Sequence, residues 1–256
     1  MDGTYQDYIN RVARLTLAET YQSQLEHIQE SPKFKQIDGK RVATPFPGYT
    51  IITPPWGEES ANGELYQNLQ ECQQKLLERL EDDVLVPVPP DSFHLTLADL
   101  IWDGTYREAA TNPEFEEKLR SRIAESFSAC SKSPSPIRWM VLGLMVFTRA
   151  LGVCLAPTDE NSYTQILELR RGIYQNPDLI ALGIEQQYYL TAHITLGYFG
   201  GIKPGLGRDH LSKTLSELND QWLQAPQELW VQRAELRKFD DMTNYYREPD
   251  WPVFEF

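Results

Sequence analysis

The sequence predicts an α+β fold of two lobes related by a pseudo-twofold, with helices outside and a cleft between. Three observations carry that expectation. The stretch SFHLTLA at 92–98 returns as TAHITLG at 191–197, each reading hydroxyl, x, His, x, Thr, x, small residue. The same order of elements leads into both: strand 49–53 breaks at Thr-Pro, a helix follows and His94 arrives; strand 152–156 breaks at Pro-Thr, a helix follows and His193 arrives. The two intervals are alike, at roughly 40 residues, which is the spacing of a duplicated structural unit.

The elements follow in order. Tyr8, Val12, Leu15, Leu25 and Ile28 fall roughly on one helical face, and Ser31-Pro32 stops the pattern, so 5–30 is expected to be helical within an N-terminal extension over 1–45. A loop rich in Pro and Gly leads to strand YTIIT (49–53). Leu65, Leu69, Cys72, Leu76 and Leu80 predict a helix over 62–82. Strand VLVPV (84–88) and a Pro-Pro break precede the first His strand at 93–101. A helix over 113–130 and the linker SKSPSP close a first lobe of about 46–136. The second lobe, about 137–256, has strands 138–147 and 152–158, a helix over 160–175 and the second His strand at 189–199. GYFGGIKPGLG (197–207) lacks the GK[ST] ending of a phosphate-binding P-loop and reads as a mobile loop at the cleft edge. A late strand over 230–239 and an extended tail have the freedom to cross between lobes.

Composition narrows the function. The chain has 256 residues and a formal net charge of -13, which argues against a grip on long nucleic acid through its phosphates. Three widely spaced cysteines form no CxxC pair and no Cys/His metal spacing, as in reduced cytoplasmic proteins. The N-terminus has no signal-type apolar core, and the most apolar run, WMVLGLMVF (139–147), is far too short to cross a bilayer as a helix. A cytoplasmic monomer, away from membranes, is expected.

In a strand, residues two apart share a face. Ser92, His94, Thr96 and Ala98 are therefore expected on one face, and Thr191, His193, Thr195 and Gly197 on its equivalent. Two such faces opposed across a pseudo-twofold pair two imidazoles and two Thr hydroxyls. One histidine takes a proton from an attacking oxygen, the other gives one to a leaving oxygen, and the hydroxyls support the charge that builds on phosphorus. No metal or cofactor is called for. Ala98 and Gly197 would leave room for a ligand, and Ser92 and Thr191 would orient the imidazoles. Asp99 has the wrong parity to join His94 in a metal site.

These motifs, His94-Leu95-Thr96 and His193-Ile194-Thr195, make the sequence resemble the 2H phosphoesterase superfamily over roughly 46–256. FPGYTII, PPDSFHLTLADL and VLGLMVF resemble a branch known mainly as a domain of unknown function. The resemblance implies the bilobal LigT-like fold, with antiparallel sheets lining the cleft. It implies metal-independent chemistry on phosphodiesters that carry a neighbouring hydroxyl, with His94, Thr96, His193 and Thr195 as catalytic residues. Many members carry a basic residue soon after the second motif, where Gly197-Tyr198-Phe199 stands here.

Arg149, in a turn of the second lobe, has the fork to hold a phosphate. Tyr49, Trp56 and Tyr198 are candidates to stack a base. The expected activity is hydrolysis of a small cyclic phosphate or a short oligonucleotide, of the 2′,3′-cyclic phosphate type. The alternatives are transesterification at an RNA end, which would need a basic channel such as Arg237 and Lys238 offer, and non-catalytic binding of a cyclic nucleotide.

Overall fold

The fold was taken from a computed structural model that describes residues 2–59, 61–132 and 135–256. Ser133 and Pro134, in the expected SKSPSP linker, lie outside the described residues. In chain order the elements are α1 (Tyr5–Val12), α2 (Ala18–Leu25), β1 (Phe34–Ile37), β2 (Lys40–Ala43), β3 (Gly48–Ile52), α3 (Gly63–Arg79), β4 (Leu85–Pro87), β5 (Thr96–Trp102), α4 (Asp103–Ala109), α5 (Phe115–Ala129), β6 (Ile137–Val146), β7 (Ala150–Pro157), α6 (Glu160–Tyr174), α7 (Pro177–Ala181), β8 (His193–Phe199), α8 (Arg208–Gln224), β9 (Glu228–Val231), β10 (Arg233–Asp241), β11 (Asn244–Tyr246) and β12 (Val253–Glu255).

Two five-stranded antiparallel sheets carry the fold, one ordered β11-β10-β3-β5 with β12 also on β10, the other β4-β8-β7-β6-β9. The repeat is visible in the pairing: β5 lies on β3 as β8 lies on β7. The chain also exchanges strands between lobes. β4, from the first half, pairs with β8, while β10, from the second half, pairs with β3. The late strand expected at 230–239 is therefore two strands in two sheets, divided at Gln232.

Helix ends follow local chemistry. Thr4 and Asp7 form a reciprocal capping box on α1. Asp159 accepts from the Ser162 amide at 2.7 Å to start α6, and Asn176 with Pro177 starts α7. The apolar residues of α3 and α6 pack into one continuous core with Trp139, Leu144 and Ile194. Burying each such side chain contributes about 1.5–3 kcal/mol.

Several expectations are corrected here. The N-terminal helix is two helices, because the chain turns at 13–17 so that Tyr21 can reach the Leu144 carbonyl (2.6 Å) beneath β6. The rest of the extension is not helical: β1 and β2 form a hairpin turning at Asp38-Gly39, both at positive φ. The glycine-rich segment after β8 does not border the cleft. Gly200 and Gly201 lie against Asp83, whose carboxylate holds Arg41 of β2 at 2.6 Å. Helices α4, α7 and α8 are additional to the elements expected from sequence. Among the described residues no helix is long and apolar enough to cross a membrane.

Candidate active site

The two His strands open onto one cavity of about 660 Å³ between the sheets, lined by His94, Thr96, His193 and Thr195 together. Each imidazole is held in the same way. His94 Nδ1 donates to the Ser92 carbonyl at 2.6 Å, and His193 Nδ1 donates to the Thr191 carbonyl at 2.6 Å. A carbonyl only accepts, so Nδ1 carries the proton in both rings and Nε2 is left for the cavity. Each ring also has an aromatic backing: Tyr245 lies 4.3 Å from His94 and Phe147 lies 4.6 Å from His193, between centroids.

Ser92 and Thr191 thus meet the histidines through their backbone carbonyls, and their hydroxyls bond elsewhere. Ser92 Oγ donates to the Pro89 carbonyl, and Thr191 Oγ1 accepts from Arg11.

A β-bulge comes after each motif threonine. In β5 the partners step from Ile52↔Thr96 to Ile51↔Ala98, leaving Leu97 over; in β8 they step from Gly152↔Thr195 to Leu151↔Gly197, leaving Leu196 over. One extra residue reverses the facing of the residues that follow it, in β5 up to a second bulge at Leu100. Ala98 is fully buried on the far side, and a side chain at Gly197 would meet the Val86 carbonyl at 2.7 Å. Neither faces the ligand space expected of it. In their place Asp99 and Tyr198 line the cavity, so the parity argument against Asp99 is also corrected.

The charge pattern is uneven. Burial lowers the His94 pKa to about 4 against its carbonyl bond, with further lowering from His193 and Arg237. Burial lowers His193 too, but the Asp99 carboxylate opposes that, while Lys33 adds to it. Asp99 keeps open area toward the cavity, and the protein around its other sides raises its pKa. Lys33, just ahead of β1, enters the cavity over the rings of Phe46 (4.6 Å) and Tyr198 (5.1 Å), and burial lowers its pKa to about 8. Arg149 also lines the cavity and donates to Gln29 Oε1 at 3.2 Å.

Tyr49 and Trp56 are elsewhere. Tyr49 is fully buried, 5.6 Å from Trp251, and Trp56 packs on Tyr66 and Phe93. Arg237 and Lys238 form no basic channel: Arg237 is buried between Glu235 and Glu58, and Lys238 bonds Glu116 at 2.7 Å. The sequence reading missed Asp99, Lys33, Phe147 and Tyr245 as lining residues. For Asp99 a signal existed, since two apolar residues in a row after each Thr (Leu97-Ala98, Leu196-Gly197) interrupt strict alternation. Among the described residues no group of three or more His, Cys, Asp or Glu side chains is arranged to hold a metal ion.

Two antiparallel lobes that each deliver a His-x-Thr strand to a shared cavity define the bilobal 2H phosphoesterase, or LigT-like, fold. Residues 33–118 match the family described as 2H-phosphodiest, domain of unknown function DUF1868, and the chain is similar to that branch of the 2H phosphoesterases. The conserved protein of unknown function ATU0111 from Agrobacterium tumefaciens str. C58 superposes with a TM-score of 0.63 at 17% identity, over 89% of this chain and 96% of that one. TT0787 of Thermus thermophilus gives 0.47 at 17% identity, over 81% and 96%. E. coli LigT complexed with 3′-AMP gives 0.44 at 12% identity, over 83% and 98%. No curated protein matches the chain in sequence.

Proposed function

We propose that the protein is a phosphodiesterase that opens a small cyclic phosphate of the 2′,3′ type, or cleaves a short oligonucleotide, by two-histidine acid/base catalysis. The observation that carries this is the matched pair of imidazoles, each with Nδ1 tied to the carbonyl two residues back and Nε2 left for one cavity. His94, neutral at pH 7, takes the proton from the attacking water as its oxygen bonds to phosphorus. His193, whose charged form Asp99 favours, gives its proton to the leaving ribose oxygen as the P–O bond breaks. A bound phosphodiester brings its own negative charge between the rings and raises both. The hydroxyls of Thr96 and Thr195 donate to the non-bridging oxygens, and both proton transfers are met without a Lewis acid.

Cavity size and charge favour a small anionic substrate. About 660 Å³ falls within the usual range of small-ligand sites, about 300–1,000 Å³. Lys33 and Arg149 supply positive charge in a chain of net charge -13. The test is incubation in excess EDTA with 2′,3′- and 3′,5′-cyclic nucleotides and short 2′,5′- and 3′,5′-linked oligonucleotides, with products read by phosphorus NMR. Turnover that survives EDTA and is lost in both His94→Ala and His193→Ala supports the reading. Binding without turnover on every substrate replaces it with a non-catalytic binder.

A further inference from the structure

The extra residue behind each motif threonine presents its carbonyl to a buried side chain from the other half of the chain, and the Leu196 carbonyl accepts from the Val88 amide at 3.2 Å as well. Arg170, on α6 of the second half, donates Nη1 to the carbonyl of Leu97, the extra residue behind Thr96, at 2.6 Å. Gln73, on α3 of the first half, donates Nε2 to the carbonyl of Leu196, the extra residue behind Thr195, at 2.7 Å. Each of the two also reaches back to its own half. Arg170 Nη2 donates to the Tyr188 carbonyl at 3.0 Å, five residues before His193, and Gln73 Nε2 donates to the Val88 carbonyl at 2.9 Å, six residues before His94. Both are 5% exposed. The two helices follow equivalent strand breaks in the repeat, so the arrangement obeys the pseudo-twofold although the residue types differ.

The difference in type has its own compensation. A buried guanidinium needs a counter-charge, and Asp2 from the N-terminal extension provides it: Asp2 Oδ2 accepts from Arg170 Nε at 2.7 Å. Asp2 Oδ1 accepts from the Leu190 amide at 2.5 Å and from Gln186 at 3.0 Å. Tyr8 accepts from the Ala192 amide at 3.1 Å, and Arg11 donates to Thr191 Oγ1 at 2.6 Å. The extension therefore grips residues 190–192, whose Thr191 carbonyl sets the His193 ring.

We infer that Gln73 and Arg170 are positioning residues that fix the two His-x-Thr strands relative to each other across the lobes, and that the N-terminal extension, through Asp2, completes the second of these ties. In-line transfer needs both Nε2 atoms placed on opposite sides of one phosphorus, and a misplacement of about 1 Å costs on the order of 100-fold. The activity arm of the test rests on the proposed function; the spectroscopic arm does not.

The variants are Gln73→Leu, Arg170→Lys, which keeps a charge for Asp2 but loses the fork, and Asp2→Asn. Tyr21→Phe, which removes a buried bond to the Leu144 carbonyl at residues that do not line the cavity, is the stability control. Each is read by melting temperature, by kcat and KM separately, and by the imidazole ¹H–¹⁵N spectrum without substrate. Q73L is expected to shift the His193 resonances more than those of His94, although residue 73 lies in the first half. R170K should move His94, and D2N should move His193. kcat should fall tenfold or more in all three, with KM within about threefold for Q73L and D2N; Arg170 itself lines the cavity, so R170K is read on the His94 resonances, and Y21F should lower the melting temperature with both imidazole spectra unchanged. If the three variants lower the melting temperature but leave the imidazole resonances where they are, the inference is overturned, and Gln73 and Arg170 serve stability alone. If the resonances move as expected while wild type turns over no substrate, the positioning stands and the proposed reaction fails.

Discussion

Asp99 and Tyr198 occupy the same place in the two repeats, each three residues past the motif threonine and each turned into the cavity by the bulge between. The repeat therefore builds symmetric scaffolding around an asymmetric pair, an acid on one strand and a phenol on the other. That asymmetry is what distinguishes the two histidines. Asp99 is felt by His193, whereas His94 receives only lowering influences besides its carbonyl bond.

Replacing Asp99 with Asn removes the charge that holds His193 toward its protonated form. His193 then loses its proton at lower pH. Because His193 must be protonated to serve as the acid, the alkaline limb of the kcat profile moves to lower pH, and activity at pH 8 falls more than at pH 6. An alkaline limb unchanged in Asp99→Asn would remove this assignment of acid and base.

Lys33 offers the opposite test on the same histidine. Its charge lowers His193, so Lys33→Met should carry the alkaline limb to higher pH. Its second effect is on binding. With a pKa near 8, Lys33 is charged below that value and neutral above it, so KM for an anionic substrate should rise as pH passes 8. Lys33→Arg stays charged throughout and should abolish that rise. Steady-state kinetics from pH 6 to 10 on the three proteins decides it.

Much of this was legible because the duplication is written in strong local signals. The strand–Pro–helix–His order and the helical period of α3 and α6 placed two lobes and both motifs. The features that escaped did so for physical reasons. The polar hairpin β1–β2 buries little, so hydrophobic periodicity missed it, although Asp38-Gly39 is a hairpin turn signal. Leu211, Leu215, Leu218 and Trp222 do carry helical spacing in α8, yet the glycines before them read as a loop. The facing of Asp99 depended on a bulge, and alternation reasoning fails at the first extra residue. Lys33 enters the cavity from outside the repeat, and no periodic pattern points to it.

The cations near the tail serve the fold. Arg237 is 1% exposed and donates to Glu235 and, at 2.7 Å, to Glu58. Arg237→Met leaves Glu235 buried with only Arg233 to face it. Removing one partner of such a pair costs about 3–5 kcal/mol, so the denaturation midpoint should drop steeply. Affinity for short oligonucleotides should stay within about twofold, the ordinary range for a residue that does not touch the ligand. A large loss of oligonucleotide affinity at unchanged stability would restore the basic channel.

His94 also links stability to pH, and the sign follows from its lowered pKa. The unfolded chain binds a proton at this residue near pH 6.5, the folded protein only near 4. Between those values the unfolded state holds more protons, so stability rises with pH through that window and is lost as pH falls from 6.5 toward 4. The difference sets an upper bound of about 3 kcal/mol, and the part of the ring that meets solvent in the cavity reduces it. His94→Gln has no such proton to bind. Urea midpoints for the two proteins should therefore converge, or cross in favour of the variant, as pH is lowered from 7 to 4.5. Parallel midpoints across that range would show that burial does not hold His94 in its neutral form.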